Sequence, residues 1–96
     1  MEFEWDEDKR QKALLQRDLD FADVAKFDLA TVIIDADTRR FYGEQRFNTY
    51  GALNGVPCTY CWTPRGNKTR IISMRKMNER ERKIWLETLK ASTNNG

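Results

Sequence analysis

The chain contains no histidine, which removes the usual general base and every Ser-His arrangement. Its two cysteines stand as Cys58-x-x-Cys61, a spacing also used for zinc and for redox pairs. On a strand, however, residues three apart face opposite sides of a sheet, so the two sulfurs would not converge. No further Cys or His completes a metal set. The expectation is one buried thiol and one surface thiol, with no metal and no cofactor. Gly43, Gly51, Gly55 and Gly66 are isolated and match neither nucleotide-binding loop.

A set of cations and one aromatic remains: Arg46, Tyr50, Ser73 and Arg75, flanked by Lys68, Arg70, Lys76 and Arg80. Cleavage of RNA by its own 2′-hydroxyl asks little covalent chemistry of a protein. The attacking oxygen must be held in line with the leaving oxygen, and the charge growing on the phosphorus centre needs cations nearby. Arginine's planar fork suits phosphate better than lysine's point charge, and Tyr50 could stack on a splayed base. Two plainer readings stand beside this one. The set could be a solvated face of scattered Arg and Lys, or it could bind phosphate without catalysis.

These residues sit in a chain of 96, with 40% apolar and 33% charged residues and a net charge of +2. That length suits one domain, expected over residues 1–90, with a polar tail over 91–96 that frays. The charge is unevenly spread. Residues 1–37 hold eleven acids against five bases, and residues 38–96 hold twelve bases against four acids. Such asymmetry suggests a polyanionic partner for the second half. The alternative is that the two halves pair with each other in the fold. The N-terminus is acidic where a secretory leader is basic and then apolar. The longest apolar run, near Leu29–Ile34, is far short of the ~20 residues of a membrane span. The cytoplasm is the expected location, with no membrane partner.

The elements needed to position the set can be read in order. Phe3 and Trp5 alternate with glutamates as a short strand. Asp6 caps a helix to about Arg17, with Glu7 and Asp8 in its first turn. Asp20 caps a second, short helix carrying Phe21, Val24, Ala25 and Phe27. Thr31–Ile34 is β-branched and reads as a buried strand. Asn54-Gly55 is a hairpin turn, which sets Leu53 opposite Val56, Gly51 opposite Cys58, Thr49 opposite Tyr60 and Phe47 opposite Trp62. That face is apolar and is expected to be the core. The other, with Arg46, Asn48, Tyr50, Thr59, Cys61 and Thr63, is expected to be open. Pro64–Asn67 forms the next turn. In the following strand Ile72 and Met74 are assigned inward, with Ser73 and Arg75 on the open face. Asn78 caps a last helix, with Glu81 completing a capping box and Glu79 able to pair with Lys83. The order β-α-α-β-β-β-β-α gives an α+β domain, its helices covering one face of a largely antiparallel sheet.

Three stretches resemble the BrnT toxins of bacterial type II toxin–antitoxin systems, which have a RelE-like ribonuclease fold. They are Phe3-Glu4-Trp5-Asp6-x-x-Lys9, Tyr42-Gly43-Glu44-x-Arg46-Phe47, and Arg70-Ile71-Ile72-Ser73-Met74-Arg75-Lys76 with Glu79-Arg80-Glu81-Arg82. The resemblance covers residues 3–87. It implies a metal-independent endoribonuclease that cuts mRNA and inhibits growth, and that is neutralised by a BrnA-like ribbon-helix-helix antitoxin. The antitoxin would carry the pair to its own promoter DNA. In this reading Arg46, Tyr50, Ser73 and Arg75 are catalytic, and Lys68, Arg70, Lys76 and Arg80 bind RNA. One stretch departs from the family pattern: Arg17 stands where the family has histidine, and Asp18 where it has glycine.

Overall fold

In a computed structural model, residues 2–39 and 43–94 are described, with side chains given as far as Ser92. Tyr42 of the central motif and the last two residues of the tail lie outside that range. The strands are β1 (Glu2–Trp5), β2 (Ile33–Ala36), β3 (Phe47–Leu53), β4 (Val56–Arg65) and β5 (Lys68–Lys76). They form one sheet in the order β1-β5-β4-β3-β2. Only β1 and β5 run parallel; the other pairs are antiparallel. Two α-helices frame the chain, α1 (Glu7–Arg17) and α2 (Glu79–Asn94). The mixed α+β class expected from the pattern is the one found.

Asp6 caps α1 by accepting from the amides of Asp8 and Lys9, at 2.9 and 3.2 Å. The helix ends at Asp18, which takes the left-handed conformation with φ +56°. Glycine adopts that conformation without strain, which accounts for the glycine of the family pattern here. Arg10 then grips Asp20 through Nε and Nη2, at 2.7 and 3.0 Å, and turns the chain back along the sheet. The second helical stretch, Phe21–Lys26, is 3₁₀ rather than α, and a second 3₁₀ turn covers Leu29–Thr31. Thr31 therefore lies outside β2. Because β2 is an edge strand, Ile34 is exposed rather than buried.

The Asn54-Gly55 turn has positive φ at both residues, as a type I′ turn requires. It fixes the pairs read from the sequence: Leu53 with Val56, Gly51 with Cys58, Thr49 with Tyr60 and Phe47 with Trp62. β5 differs from expectation. Ser73 pairs with Cys61 but Ile71 pairs with Trp62, so Ile72 is the extra residue of a β-bulge. The bulge lets Ile71 and Met74, three apart, both enter the core, at 1% and 0% exposure. A regular strand would not allow this.

The main core lies between the sheet and the N-terminal helical segments. It contains Phe21, Val24, Phe27, Leu53, Ile71 and Met74. Gly51 is where those segments approach most closely: a Cβ there would meet Phe27 at 3.1 Å and Val32 at 3.2 Å. The second face is not open. Thr59, Cys61 and Thr63 are all buried, and the Thr63 hydroxyl donates to the carbonyl of Gln45. α2 also lies on this side, near Ile33 and Tyr50, with buried Trp85 donating to the carbonyl of Thr31. The helices thus divide between the two faces. Both cysteines are buried, against the expected surface thiol, and burial pushes both thiols upward. α2 continues through Asn94, into the polar tail. Glu79 and Lys83 form no ion pair within 4 Å.

Candidate active site

The second face carries a polar hollow of about 230 Å³ where β2, β3, β5 and α2 meet. Tyr50 comes from β3, Arg75 from β5 and Glu81 from the first turn of α2. Strand pairing aligns Tyr50, Thr59 and Arg75 across three neighbouring strands. The hydroxyl of Thr59 is buried and finds no partner among the described residues. A neighbouring slot of about 190 Å³, between Tyr50, Ile33, Ile84 and Trp85, is more apolar.

Arg75 is held by a two-pronged bond: Nη1 to Glu81 Oε1 at 2.6 Å and Nη2 to Oε2 at 2.7 Å. Glu81 is anchored in turn by the capping box. Its carboxylate accepts from the amide of Asn78 at 2.9 Å, while Asn78 Oδ1 accepts from the amide of Glu81 at 2.8 Å. One helix start therefore fixes the carboxylate that fixes the guanidinium. The bond to Arg75 lowers the Glu81 carboxyl, and the same bond raises Arg75. Burial, then the charge of Glu81, pushes the Tyr50 hydroxyl above its ordinary value. Within the hollow, Arg75 is thus held as a cation, Glu81 as a carboxylate and Tyr50 as a neutral phenol.

Arg39 closes one side of the hollow. It forks onto Asp37 at 3.0 and 2.8 Å, and the Asp37 side chain has no exposed surface. The Arg39 guanidinium brings the Asp37 carboxyl down to about 2. Arg39, Asp37 and the contribution of Glu81 to Arg75 were not singled out in the sequence. The capping-box spacing was the available signal for Glu81. For Asp37-x-Arg39, after a strand, composition offers none.

The predicted residues are not all gathered here. Tyr50 and Arg75 share the hollow, but Arg46 and Ser73 do not line it. Arg46 lies on the same face, bound to Glu44 at 3.1 Å, and Arg65 approaches the same carboxylate at 3.5 Å. By strand pairing Arg46 lies roughly 13 Å along the sheet and two strands, roughly 10 Å, across from Arg75. Ser73, beside the bulge, lines a separate hollow under α1. Of the predicted RNA contacts, Lys68 approaches Glu2 at 3.8 Å and Arg70 approaches Glu4 at 3.5 Å. Lys76 and Arg80 are exposed and make no ion pair among the described residues. Arg17 donates Nη1 to the carbonyl of Met74 at 2.9 Å, tying α1 to β5 beside Ser73.

Residues 5–81 match the family described as "Ribonuclease toxin, BrnT, of type II toxin-antitoxin system". The chain belongs to the BrnT family. No curated protein matches it. The family match covers the N-terminal strand end, both predicted arginines and the capping box of α2, so every element of the hollow falls within it. As a BrnT protein it is a ribonuclease toxin, with an RNA target and an antitoxin partner. Among the described residues, no helix is long and apolar enough to cross a membrane.

The hollow brings together groups of distinct chemistry. Arg75 offers fixed positive charge, Tyr50 a hydroxyl donor and a ring, and the adjoining slot an apolar wall. Glu81 is a weak base because its carboxyl is lowered. Its geometry is that of a group orienting Arg75.

Proposed function

We propose that this BrnT protein cleaves mRNA and thereby inhibits growth, with Arg75 and Tyr50 at the reacting phosphate. In the reaction the 2′-oxygen of one nucleotide attacks phosphorus and the bond to the 5′-oxygen breaks, leaving a 2′,3′-cyclic phosphate; the 2′-proton passes to solvent, and the departing 5′-oxygen takes a proton from solvent. Arg75 stabilises the added negative charge in the transition state, while Tyr50 donates to, or stacks on, the flanking nucleotide. Arg46 and Ser73 act farther along the strand path, and Lys68, Arg70, Lys76 and Arg80 hold the RNA backbone. The observation carrying this reading is the cation fixed by Glu81 beside a neutral tyrosine in one hollow. The antitoxin is proposed to be BrnA-like, of the ribbon-helix-helix class, and to bring the pair to promoter DNA. The cytoplasm is the proposed site of action.

The test is expression of the wild type beside Arg75→Ala and Arg46→Ala. Growth arrest and loss of mRNA are expected with the wild type only, while circular dichroism of all three stays the same. A wild type without effect on growth or mRNA overturns the reading.

A second reading, RNA binding without cleavage, is favoured by one observation: Arg17 replaces the family histidine and is engaged with a backbone carbonyl. Purified protein that binds RNA with steep salt dependence and leaves it intact would select this alternative.

A further inference from the structure

Most cations of the second sheet face already have a carboxylate. Arg46 has Glu44, Arg70 has Glu4, Arg75 has Glu81 and Arg39 has Asp37. A different situation holds on the far side of β5. β1 ends at the pairing of Trp5 with Ile71, so Ile72–Lys76 continues past its parallel neighbour. α1 lies there instead. Lys9, Lys12 and Gln16, at i, i+3 and i+7, share one helix face, and with Arg17, Ile72 and Ser73 they line a hollow of about 150 Å³.

Among the described residues, neither lysine has a carboxylate oxygen within 4 Å and neither side chain has a hydrogen-bond partner. Glu7 is engaged with Arg10, Gln11 and Trp5 rather than with them. Arg17 uses Nη1 on Met74, and its Nε and Nη2 bond to none of the described residues. The bulge at Ile72 brings the Ser73 segment to the same hollow. Three cations, an amide and a serine thus surround a space with no acid inside it. A single strand of nucleic acid has regularly spaced phosphates, and unneutralised cations along an exposed helix face are what it displaces counterions from.

We infer that Lys9, Lys12 and Arg17, with Gln16 and Ser73, form a phosphate subsite for the RNA strand on the α1 side of β5. The subsite rests on the reading of RNA as substrate and deepens it. The two neighbours of buried Met74 line the two hollows, Ser73 at the α1 side and Arg75 at the α2 side. Arg17 has a double part, since its bond to Met74 holds the subsite against the strand that carries Arg75.

The experiment measures binding of a labelled single-stranded RNA by fluorescence anisotropy over 50–200 mM salt. It compares the wild type, Lys9→Ala/Lys12→Ala and Lys9→Arg/Lys12→Arg, and cleavage of the same RNA is followed in parallel. Losing two phosphate contacts is expected to reduce the slope of log K against log salt by about 1.4. The wild type then loses about sevenfold more affinity across that range than the alanine pair, and the arginine pair behaves as the wild type. Both lysines are exposed, so a folded alanine pair is expected and is checked by circular dichroism. An unchanged slope overturns the subsite, even where the wild type cuts RNA. A reduced slope with uncut RNA supports the subsite and removes the cleavage reading instead. An alanine pair that keeps RNA binding but loses the antitoxin overturns the RNA subsite in favour of a protein contact. Absence of any RNA binding by the wild type overturns both readings.

Discussion

Single residues set the electrostatics of the BrnT hollow. Asp37 has no exposed side-chain surface, and its carboxyl is brought to about 2 by Arg39. A carboxyl lowered in the folded state stabilises the fold above its unfolded value near 4. That stabilisation is lost as the pH falls through about 2. Arg39 is 71% exposed, and screening reduces the effect to about 1–2 kcal/mol. Urea unfolding at stepped pH is therefore expected to show a decline from pH 4 to 2 that is shallower in Asp37→Asn, the other lowered carboxyls, Glu81 among them, remaining. Equal declines in both proteins would remove Asp37 from this role. From strand parity Tyr50 and Arg75 were legible as sharing one face of the sheet. Their partners were not, because a carboxylate brought in by a helix start or a strand end leaves no periodic mark.

At the scale of elements, legibility followed the strength of local turn chemistry. Asn54-Gly55 admits one tight turn, so the pairing of β3 with β4 could be read residue by residue. No glycine or proline announces the bulge at Ile72, and the inward residues of β5 were displaced by one at Ile71 as a result. The sequence pattern set the helices against one face of the sheet, whereas α2 lies on the other, where Trp85 reaches the carbonyl of Thr31. The start of α2 is also where stability and site geometry meet. Asn78→Ala removes the acceptor for the Glu81 amide and is expected to cost about 1 kcal/mol. It also loosens the carboxylate that aims Arg75. Chemical denaturation gives the first effect, and RNA cleavage gives the second. A variant that loses stability but keeps full cleavage would separate the cap from the site.

Over the whole molecule, the uneven charge of the two halves is partly neutralised within the fold. The acidic first strand lies along the basic fifth, with Glu2 near Lys68 and Glu4 near Arg70. The pairing of the two halves within the fold accounts for part of the asymmetry: some cations are neutralised internally, whereas Lys76 and Arg80 make no ion pair among the described residues. Such exposed pairs contribute little to folding. Glu2→Gln with Glu4→Gln is expected to change stability by no more than about 0.5 kcal/mol, while raising RNA affinity at low salt by releasing Lys68 and Arg70. Anisotropy and urea unfolding of the same samples test the two parts. A drop in affinity would mean that these cations do not meet RNA.

The residue left over at Ile72 makes β5 one amino acid longer than its partner strand calls for. Excising that codon would restore plain alternation, with Ile71 and Met74 still inward and Arg75 still opposite Thr59. The shortened protein is expected to fold and to keep the tyrosine–arginine hollow, but to redraw the border with the first helix. In this chain, length at a single position sets the shape of one flank while leaving the opposite flank untouched.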